Sequence, residues 1–317
     1  MNKPCTVIGI DLGGTKIASA LIRYEQDAAP AVIERAETPT LAREGGDAVL
    51  ARIVKACQEM AALSAETPVG VGIAAAGCID PDDGSVAFAN GLMPNWTGQP
   101  LCAAVSEACG VPAAALGDVQ GHALGEARWG AARELSSCLL VAAGTGIGGA
   151  YVVEGKVLRG AHGAAGHIGH TLHHRAAAFP CACGAEAHME SITSGTGIGA
   201  LYQGVPATSA DFDPALDGAE VSRRAEAGEE HALEVLRQSG FAMGQACGSW
   251  ANMLDPAAII LTGTVAKAGA VWRQALQEGF EEQALVPLHS IPFIPAELGA
   301  DAPLIGAAEH LLDSLRR

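Results

Sequence analysis

Four side chains that bind transition metals lie close together in the middle of the sequence: His170, Cys181, Cys183 and His188. Two thiolates and two imidazoles satisfy the tetrahedral coordination of Zn²⁺. A Cys-x-Cys pair with a histidine on either side, all within nineteen positions, is uncommon by chance. We expect a structural zinc site, because four protein ligands leave no position open for a substrate. The alternatives are free thiols with surface imidazoles, or His173 or His174 as a ligand instead.

Three glycine-rich turns each follow an apolar run: Gly13-Gly14, Gly144-Thr145-Gly146 and Thr262-Gly263-Thr264. Because glycine has no Cβ, such turns expose backbone N–H groups that bind phosphate oxygens. One such turn is weak evidence, since ordinary hairpins also carry glycine pairs. The set favours nucleotide binding, although neither a P-loop nor a strand–GxGxxG–helix unit is present.

Two aspartates stand beside predicted strand ends. Asp11 precedes the first glycine turn, where a carboxylate is placed to hold Mg²⁺ through water or to cap the turn. Asp118 follows a short apolar run and precedes a helical pattern. A carboxylate there orients a substrate hydroxyl and accepts its proton, which suits phosphoryl transfer because orientation matters more than base strength. The alternative is a helix N-cap.

The composition limits the classes of protein. The 317 residues suggest one large or two medium domains, and 49% hydrophobic residues with only 4% aromatics predict an aliphatic core. A net charge of −16 argues against nucleic acids and anionic membranes as partners, but allows a nucleotide bound with Mg²⁺. Nine scattered cysteines fit a reducing, cytoplasmic setting. We expect no signal peptide and no membrane span.

The apolar pattern indicates which elements position these residues. Residues 6–23 are typical of strand, glycine turn and strand, and residues 137–160 repeat the pattern, which we interpret as an internal duplication. Helices are predicted at 46–64, 101–109, 121–129, 220–227, 229–253, 268–283 and 304–315, and further strands at 69–77, 113–116, 257–261 and 291–294. This alternation predicts an α/β fold with a lobe boundary near Gly117.

At these residues the chain resembles the ROK family of bacterial sugar kinases and repressors, almost from end to end. The matching segments are Asp11 to Lys16, Ala76-Gly77, Asn90, Asp118, Gly144 to Gly149, Gly166 to His170, Cys181 to Gly184 with Glu190, and Leu254-Asp255-Pro256. The resemblance implies an actin-like, ribonuclease-H-like fold whose two α/β lobes hold ATP and sugar in the cleft between them. The lobes would be 1–117 plus 295–317, and 118–294 with the zinc loop, in a homodimer.

The resemblance also implies roles for individual residues. Asp118 would be the catalytic base. The sugar would contact Gly77, Asn90, His167, His170 and Glu190, with His170 serving both sugar and zinc. The nucleotide and its magnesium would be bound by Asp11, Gly13, Gly14, Thr15, Lys16, Gly144, Thr145, Gly146 and Gly263. Repressor members carry an added N-terminal helix-turn-helix, for which the position of Asp11 leaves no room, so a kinase is expected.

His167 bears on the choice of sugar. Most glucokinases of the family have Glu at this position, whereas its N-acetylmannosamine kinases resemble this chain in the run Gly166 to Leu172. We therefore expect ATP-dependent phosphorylation of the 6-hydroxyl of N-acetylmannosamine, giving N-acetylmannosamine 6-phosphate in sialic acid breakdown. The alternatives are a glucokinase or other hexose kinase and, in another class, a sugar-responsive regulator that has lost catalysis.

The chain departs from the family pattern at three places. His188 and Ala187 replace a third Cys and a Gly of the zinc motif, which leaves a two-His, two-Cys site with different loop geometry. Gly117 replaces the Asn before the catalytic Asp and so removes a side chain that hydrogen-bonds the sugar. Thr262-Gly263-Thr264 replaces a Gly-Gly-Gly turn on the adenosine side. Each departure concerns specificity more than fold.

Overall fold

The computed structural model describes residues 4–26 and 28–316, in which strands and helices alternate. The strands are β1 (Cys5–Leu12), β2 (Lys16–Tyr24), β3 (Ala31–Pro39), β4 (Val71–Ala75), β5 (Cys78–Ile79), β6 (Val86–Phe88), β7 (Ala113–Gly117), β8 (Ser137–Ala143), β9 (Ile147–Val153), β10 (Lys156–Val157), β11 (Ile259–Thr262) and β12 (Phe293–Pro295). The helices are α1 (Gly46–Leu63), α2 (Leu101–Cys109), α3 (Asp118–Trp129), α4 (Glu190–Thr193), α5 (Gly195–Gln203), α6 (Gly218–Glu226), α7 (Glu230–Leu254), α8 (Ala270–Gln283) and α9 (Ala302–Ser314). The predicted α/β alternation is confirmed.

The chain forms two compact units. The first comprises Met1–Ser136, Ala150–Gly166 and Glu297–Arg317, and the second comprises Ser137–Gly149 and His167–Ala296. The first unit therefore includes α3 and residues 150–166, which the expected lobe boundary near Gly117 assigns to the other lobe. The expected lobes remain a prediction, because compactness of packing and family lobe boundaries are different criteria.

The first unit contains a five-stranded sheet in the order β3-β2-β1-β4-β7. β1 and β2 form the predicted antiparallel hairpin, whereas β1, β4 and β7 are parallel. Leu12 pairs with Ala75, and Ala75 pairs with Gly117, so these three strands end together at one edge. The segments that follow these ends contain the first glycine turn, Gly77 and Asp118. Sequence position alone therefore brings the candidate residues of this unit to one edge.

A second five-stranded sheet has the order β10-β9-β8-β11-β12. β8 lies between β9 and β11, just as β1 lies between β2 and β4, which agrees with the interpreted duplication. β8 and β11 are parallel, with Thr262 opposite Ala142. The Gly144 turn and Gly263 consequently follow neighbouring strand ends.

Helix α9 approaches both α3 and the first sheet through glycine. A Cβ at Gly306 would lie 1.8 Å from the carbonyl oxygen of Gly121 in α3, and one at Gly125 would lie 2.2 Å from that of Ala302. On the sheet side, a Cβ at Gly72 would lie 2.1 Å from the carbonyl oxygen of Ala307. Backbone therefore packs on backbone at these crossings, and α3 is held in a fixed position with Asp118 as its first residue.

Two further observations concern the helices and the cysteines of the described residues. None of its helices combines the length and the apolar character that crossing a bilayer requires. All nine cysteines are free thiols.

The buried carboxylate of Glu126 fastens the end of α3 to the segment that enters α9. The side chain is 0% exposed. Its Oε1 accepts a hydrogen bond from the backbone N–H of Leu298 at 2.8 Å, and its Oε2 accepts from Ala131 at 2.8 Å and Glu297 at 3.1 Å. Three donors on one carboxylate leave no need for a cationic partner.

We expect Glu126→Gln to lower the free energy of unfolding by about 2–3 kcal/mol, because an amide NH₂ cannot accept a hydrogen bond and faces a backbone donor. The exposed Glu134 provides a matched control, and Glu134→Gln should change stability by less than about 0.5 kcal/mol. Urea unfolding followed by circular dichroism measures both. Equal midpoints for the two variants would contradict the role given to Glu126.

Candidate active site and metal centre

Asp11 and Asp118 both lie at the carboxyl edge of the first sheet, close enough for their negative charges to repel each other. Asp11 is the penultimate residue of β1, and Asp118 is the first residue of α3, after β7. Burial, reinforced by the nearby Asp118 carboxylate, raises the pKa of Asp11 to about 6, while Lys16 acts in the opposite direction. Two carboxylates in mutual repulsion favour a divalent cation, which offsets both charges.

Asp118 lies one residue inside α3 and is not its N-cap. Gly117 occupies the N-cap, and its backbone N–H donates to Gln120 Oε1 at 3.2 Å. Asp118 Oδ1 accepts a hydrogen bond from the Val119 N–H at 2.8 Å. The start of a helix stabilises negative charge, so the structure keeps the Asp118 carboxylate at the end of the sheet in a favourable field.

Gln120 fixes the first turn of α3. Its amide nitrogen donates to the carbonyl oxygens of Ala165 at 3.1 Å and Gly163 at 3.4 Å. Its side chain is buried, with 4% exposure. The sequence analysis did not predict a role for Gln120. The available signal was a polar residue two positions after Asp118, directly before a predicted helix.

Gly77 and Asn90 border the same edge. Gly77 has φ 109°, and a Cβ there would lie 2.7 Å from the carbonyl oxygen of Phe88, so only glycine fits. The β5–β6 hairpin starts directly after Gly77, and Cys78 pairs with Phe88. Asn90 follows that hairpin, is exposed, and accepts the Leu92 N–H on Oδ1 at 3.3 Å. The structure thus keeps Asn90 on the segment that returns toward Gly77.

The first glycine turn is tight and open to solvent. The Gly13 N–H donates to the carbonyl oxygen of Lys16 at 3.0 Å, and Thr40 Oγ1 donates to that of Gly13 at 2.7 Å. The Thr15 carbonyl oxygen accepts from the Thr40 N–H at 2.9 Å. A Cβ at Gly14 would meet no atom within 4 Å, so the turn is accessible from outside. The Lys16 ammonium pairs with Glu37 Oε1 at 2.6 Å.

The second and third glycine turns are neighbours in the second unit. The Gly144 N–H donates to the Gly146 carbonyl oxygen at 3.0 Å, while Thr145 and Gly146 are exposed. Gly263 has φ 93°, and a Cβ there would lie 2.2 Å from the carbonyl oxygen of Ala143. The close approach of Gly263 to Ala143 thus requires glycine at the centre of the third turn. The threonines on either side have ordinary backbone conformations, because Thr262 ends β11 and Thr264 is right-handed helical.

The four predicted zinc ligands converge. Their donor atoms all lie within 4.8 Å of one another. His170 Nδ1 is 3.1 Å from His188 Nδ1, and Cys183 Sγ is 3.3 Å from His188 Nδ1. Cys181 Sγ lies 3.9 Å from His170 Nδ1. Ligands around tetrahedral Zn²⁺ are separated by about 3.3–3.8 Å, so these residues fit the ion.

His173 and His174, the alternative ligands, do not belong to this group of donor atoms. His173 is 8% exposed, and its Nδ1 accepts the Arg175 N–H at 3.3 Å. Burial lowers the pKa of His173 to about 4, which keeps the ring neutral. His174 stacks on it, with ring centroids 4.8 Å apart. Both imidazoles lie outside the group of converging donors.

The metal loop contains a strained residue at the position where the family has glycine. Ala187 has φ 59°, in the left-handed region, which costs a residue with a Cβ about 1 kcal/mol. Its carbonyl oxygen accepts the His173 N–H at 2.9 Å, and the next residue, His188, bridges to Leu172. The loop therefore retains a glycine-like turn, which directs His188 toward the cysteines.

Glu190 and His167 stand beside the metal group. Glu190 Oε1 is 3.1 Å from Cys181 Sγ and 3.7 Å from His170 Nδ1. Its Oε2 accepts the Ile147 N–H at 3.3 Å, in the second glycine turn. The His167 and His170 rings are nearly parallel, with centroids 6.3 Å apart. The second unit thus gathers three of the predicted sugar-contacting residues (His167, His170 and Glu190), the four predicted metal ligands and the second glycine turn, a connection that residue spacing did not reveal.

Comparisons with known proteins agree with these observations. The sequence model of the ROK family matches residues 7–313. A glucokinase from Halalkalibacterium halodurans is 31% identical over 94% of this chain and 92% of its own length. An N-acetylmannosamine kinase from Escherichia coli O157:H7 is 31% identical over 96% of this chain and 97% of its own.

One solved structure is similar to this chain over nearly its whole length. It is a ROK family glucokinase from Streptomyces griseus in complex with glucose and AMPPNP, 25% identical, with a TM-score of 0.75 and coverage of 96% of this chain and 98% of that one. The α/β architecture of two sheets, each built on a hairpin with a glycine turn, is that of the actin-like fold. Given a family match over nearly its whole length, this chain belongs to the ROK family.

Proposed function

We propose that this protein is a sugar kinase that transfers the terminal phosphoryl group of Mg·ATP to the 6-hydroxyl of a hexose, with N-acetylmannosamine as the preferred substrate. The observation that carries the proposal is the pair of carboxylates, Asp11 and Asp118, beside a glycine turn at one sheet edge. Phosphoryl transfer requires a cation at the phosphates and a carboxylate at the attacking hydroxyl. At this edge, Asp11 would hold the cation and Asp118 would be the carboxylate at the hydroxyl.

In the first unit, Asp118 would accept the proton of the sugar 6-hydroxyl and aim its oxygen at the phosphorus atom. Gly77 and Asn90 would hold the sugar beside it. Asp11 would bind Mg²⁺ through water. Gly13 closes the turn with its own N–H, and the N–H groups of Gly14 and Thr15 would contact phosphate oxygens. Lys16 would reach the phosphates only by leaving Glu37, with which it pairs at 2.6 Å.

In the second unit, His167, His170 and Glu190 would contact sugar hydroxyls. The turn Gly144-Thr145-Gly146 would bind the phosphates with its exposed N–H groups, and Gly263 would lie beside the adenosine. Zn²⁺ on His170, Cys181, Cys183 and His188 would fix the loop that carries two of the sugar-contacting residues. With four protein ligands, the ion would be structural.

The choice of N-acetylmannosamine rests on His167. An imidazole both donates and accepts hydrogen bonds without fixed negative charge, unlike the glutamate of most glucokinases in the family. The relatives named as glucokinase and as N-acetylmannosamine kinase are equally similar to this chain, at 31% identity. Glucokinase activity is therefore the competing proposal, and sugar preference separates the two.

The decisive assay measures ADP release with N-acetylmannosamine, N-acetylglucosamine, glucose and mannose in parallel. We expect the highest kcat/KM with N-acetylmannosamine, and a loss of about 10²–10⁴-fold in Asp118→Asn, which keeps the shape but removes the proton acceptor. A preference for glucose would support the competing proposal. Absence of turnover with all four sugars, in folded protein that binds ATP, would argue for a binding protein that has lost catalysis.

The raised pKa of Asp11 makes stability depend on pH. Between the unfolded value of 3.8 and the folded value of about 6, the unfolded chain loses a proton that the folded chain keeps, so stability falls as pH rises through this window. Asp11→Asn removes the penalty. Without Mg²⁺ or nucleotide, the variant should be more stable than the wild type by about 1–3 kcal/mol at pH 7.5 and equal to it near pH 4. Thermal midpoints at both pH values measure this, and a pH-independent difference would contradict it.

Zinc content is open to a direct measurement. We expect elemental analysis to find about one Zn²⁺ per chain in the wild type and in His188→Cys, which keeps four ligands, but little in Cys181→Ser. Cys109→Ser is the matched control, because that thiol lies outside the metal group. Chelation should lower the thermal midpoint of the wild type and leave that of Cys181→Ser unchanged. A zinc-free wild type, or equal content in all variants, would rule out the site.

A further inference from the structure

The carboxylate of Glu190 touches two different parts of the second unit. One oxygen, Oε1, lies 3.1 Å from Cys181 Sγ and 3.7 Å from His170 Nδ1, both in the metal group. The other oxygen, Oε2, accepts the N–H of Ile147 at 3.3 Å, at the end of the second glycine turn. A Cβ at Gly146 would itself lie 3.2 Å from Oε2. The side chain is 20% exposed, so these contacts are shielded from bulk water.

The backbone that follows Glu190 holds the other end of the same turn. The Glu190 carbonyl oxygen accepts Ser194 Oγ at 2.7 Å, and Ser194 Oγ accepts the Gly197 N–H at 3.0 Å. Between them, the Gly195 N–H donates to the carbonyl oxygen of Gly144 at 2.7 Å. Residues 190–195 therefore fasten the turn at both of its ends, Gly144 and Ile147.

The metal loop leads directly into this segment. His188 precedes Glu190 by two positions, and the intervening Met189 is 0% exposed. Its N–H donates to the carbonyl oxygen of Thr171 at 2.9 Å, next to His170. In contrast, Cys183 is exposed, and a Cβ at Gly184 would meet no atom within 4 Å, so little packing orders the turn that carries Cys183. A bound metal would supply that order.

From this arrangement, resting on the proposed nucleotide role of the second turn, we propose that Glu190 is a positioning residue that couples the metal group to the phosphate turn. Metal in the His170, Cys181, Cys183 and His188 site fixes His188, the buried backbone at Met189 carries that constraint to Glu190, and Glu190 fixes the turn from Gly144 to Ile147. Nucleotide affinity consequently depends on metal occupancy. By linkage, nucleotide tightens metal binding by the same factor.

The test measures the affinity of a non-hydrolysable ATP analogue with Mg²⁺ by calorimetry, in the absence of sugar, so that no sugar contact of Glu190 contributes. Zinc-loaded and chelator-treated proteins, with the chelator dialysed away, are compared. For the wild type we expect at least about fivefold tighter binding with zinc. Glu190→Ala should bind weakly and equally in both states. Glu190→Gln should keep most of the zinc effect, because its amide oxygen still accepts from the Ile147 N–H and its NH₂ can donate to the Cys181 thiolate.

Equal wild-type affinity with and without zinc, or a full zinc effect in Glu190→Ala, would overturn the coupling while leaving the kinase proposal intact. If the metal-free protein unfolds, the zinc-loaded wild type and Glu190→Ala still differ in amide hydrogen exchange over residues 144–149, with faster exchange expected in the variant. That readout also separates the two proposals. If no nucleotide binds in any state, the kinase proposal fails. The coupling is then supported if zinc protects the turn from exchange in the wild type but not in Glu190→Ala, and it is rejected if zinc gives no such protection.

Discussion

The buried carboxylate of Asp11, whose charge is disfavoured first by burial and second by the nearby Asp118 carboxylate, is a constraint that the first unit must accommodate. Burial and the Asp118 charge raise the pKa of Asp11 to about 6, which means that holding both groups ionised lowers the stability of the fold. A structure relaxes such strain by moving the charged groups apart. Here neither can move far, because Asp11 lies within β1, between two paired strands, and Asp118 begins a helix that is fixed along its length.

That fixation depends on contacts without long flexible side chains. Gly121 and Gly306 allow α3 and α9 to touch through their backbones, and the carboxylate of Glu126 secures the far end of α3 with three N–H donors. Gln120 anchors the near end to Ala165. Backbone contacts and buried hydrogen bonds hold a carboxylate more exactly in place than salt bridges at the surface, which cost side-chain entropy and are screened by solvent.

The sequence predicted those elements that carry an apolar run bounded by glycine. Both hairpins and the longer helices are confirmed, because periodicity reports burial directly. β3 was not predicted, because it is an edge strand whose residues are largely exposed and which lacks a long apolar run. The four candidate metal ligands were predicted from their spacing, and their donor atoms do converge. The contact of Glu190 with Ile147 was not predictable, since it joins a side chain to a backbone N–H forty-three positions away.

Gly117 shows how the structure separates a requirement of the fold from a feature of the site. Its φ of −62° is open to any residue, and a Cβ there would lie 3.5 Å from Gln120, an ordinary contact. Gly77, by contrast, has φ 109° and no room for a side chain. Packing therefore requires glycine at position 77 but not at position 117. At position 117 this chain lacks a side chain directly beside Asp118, although the backbone would allow one. Under the proposed function, selection among sugars would then rest on other groups, and His167 would offer both a hydrogen-bond donor and an acceptor for that purpose.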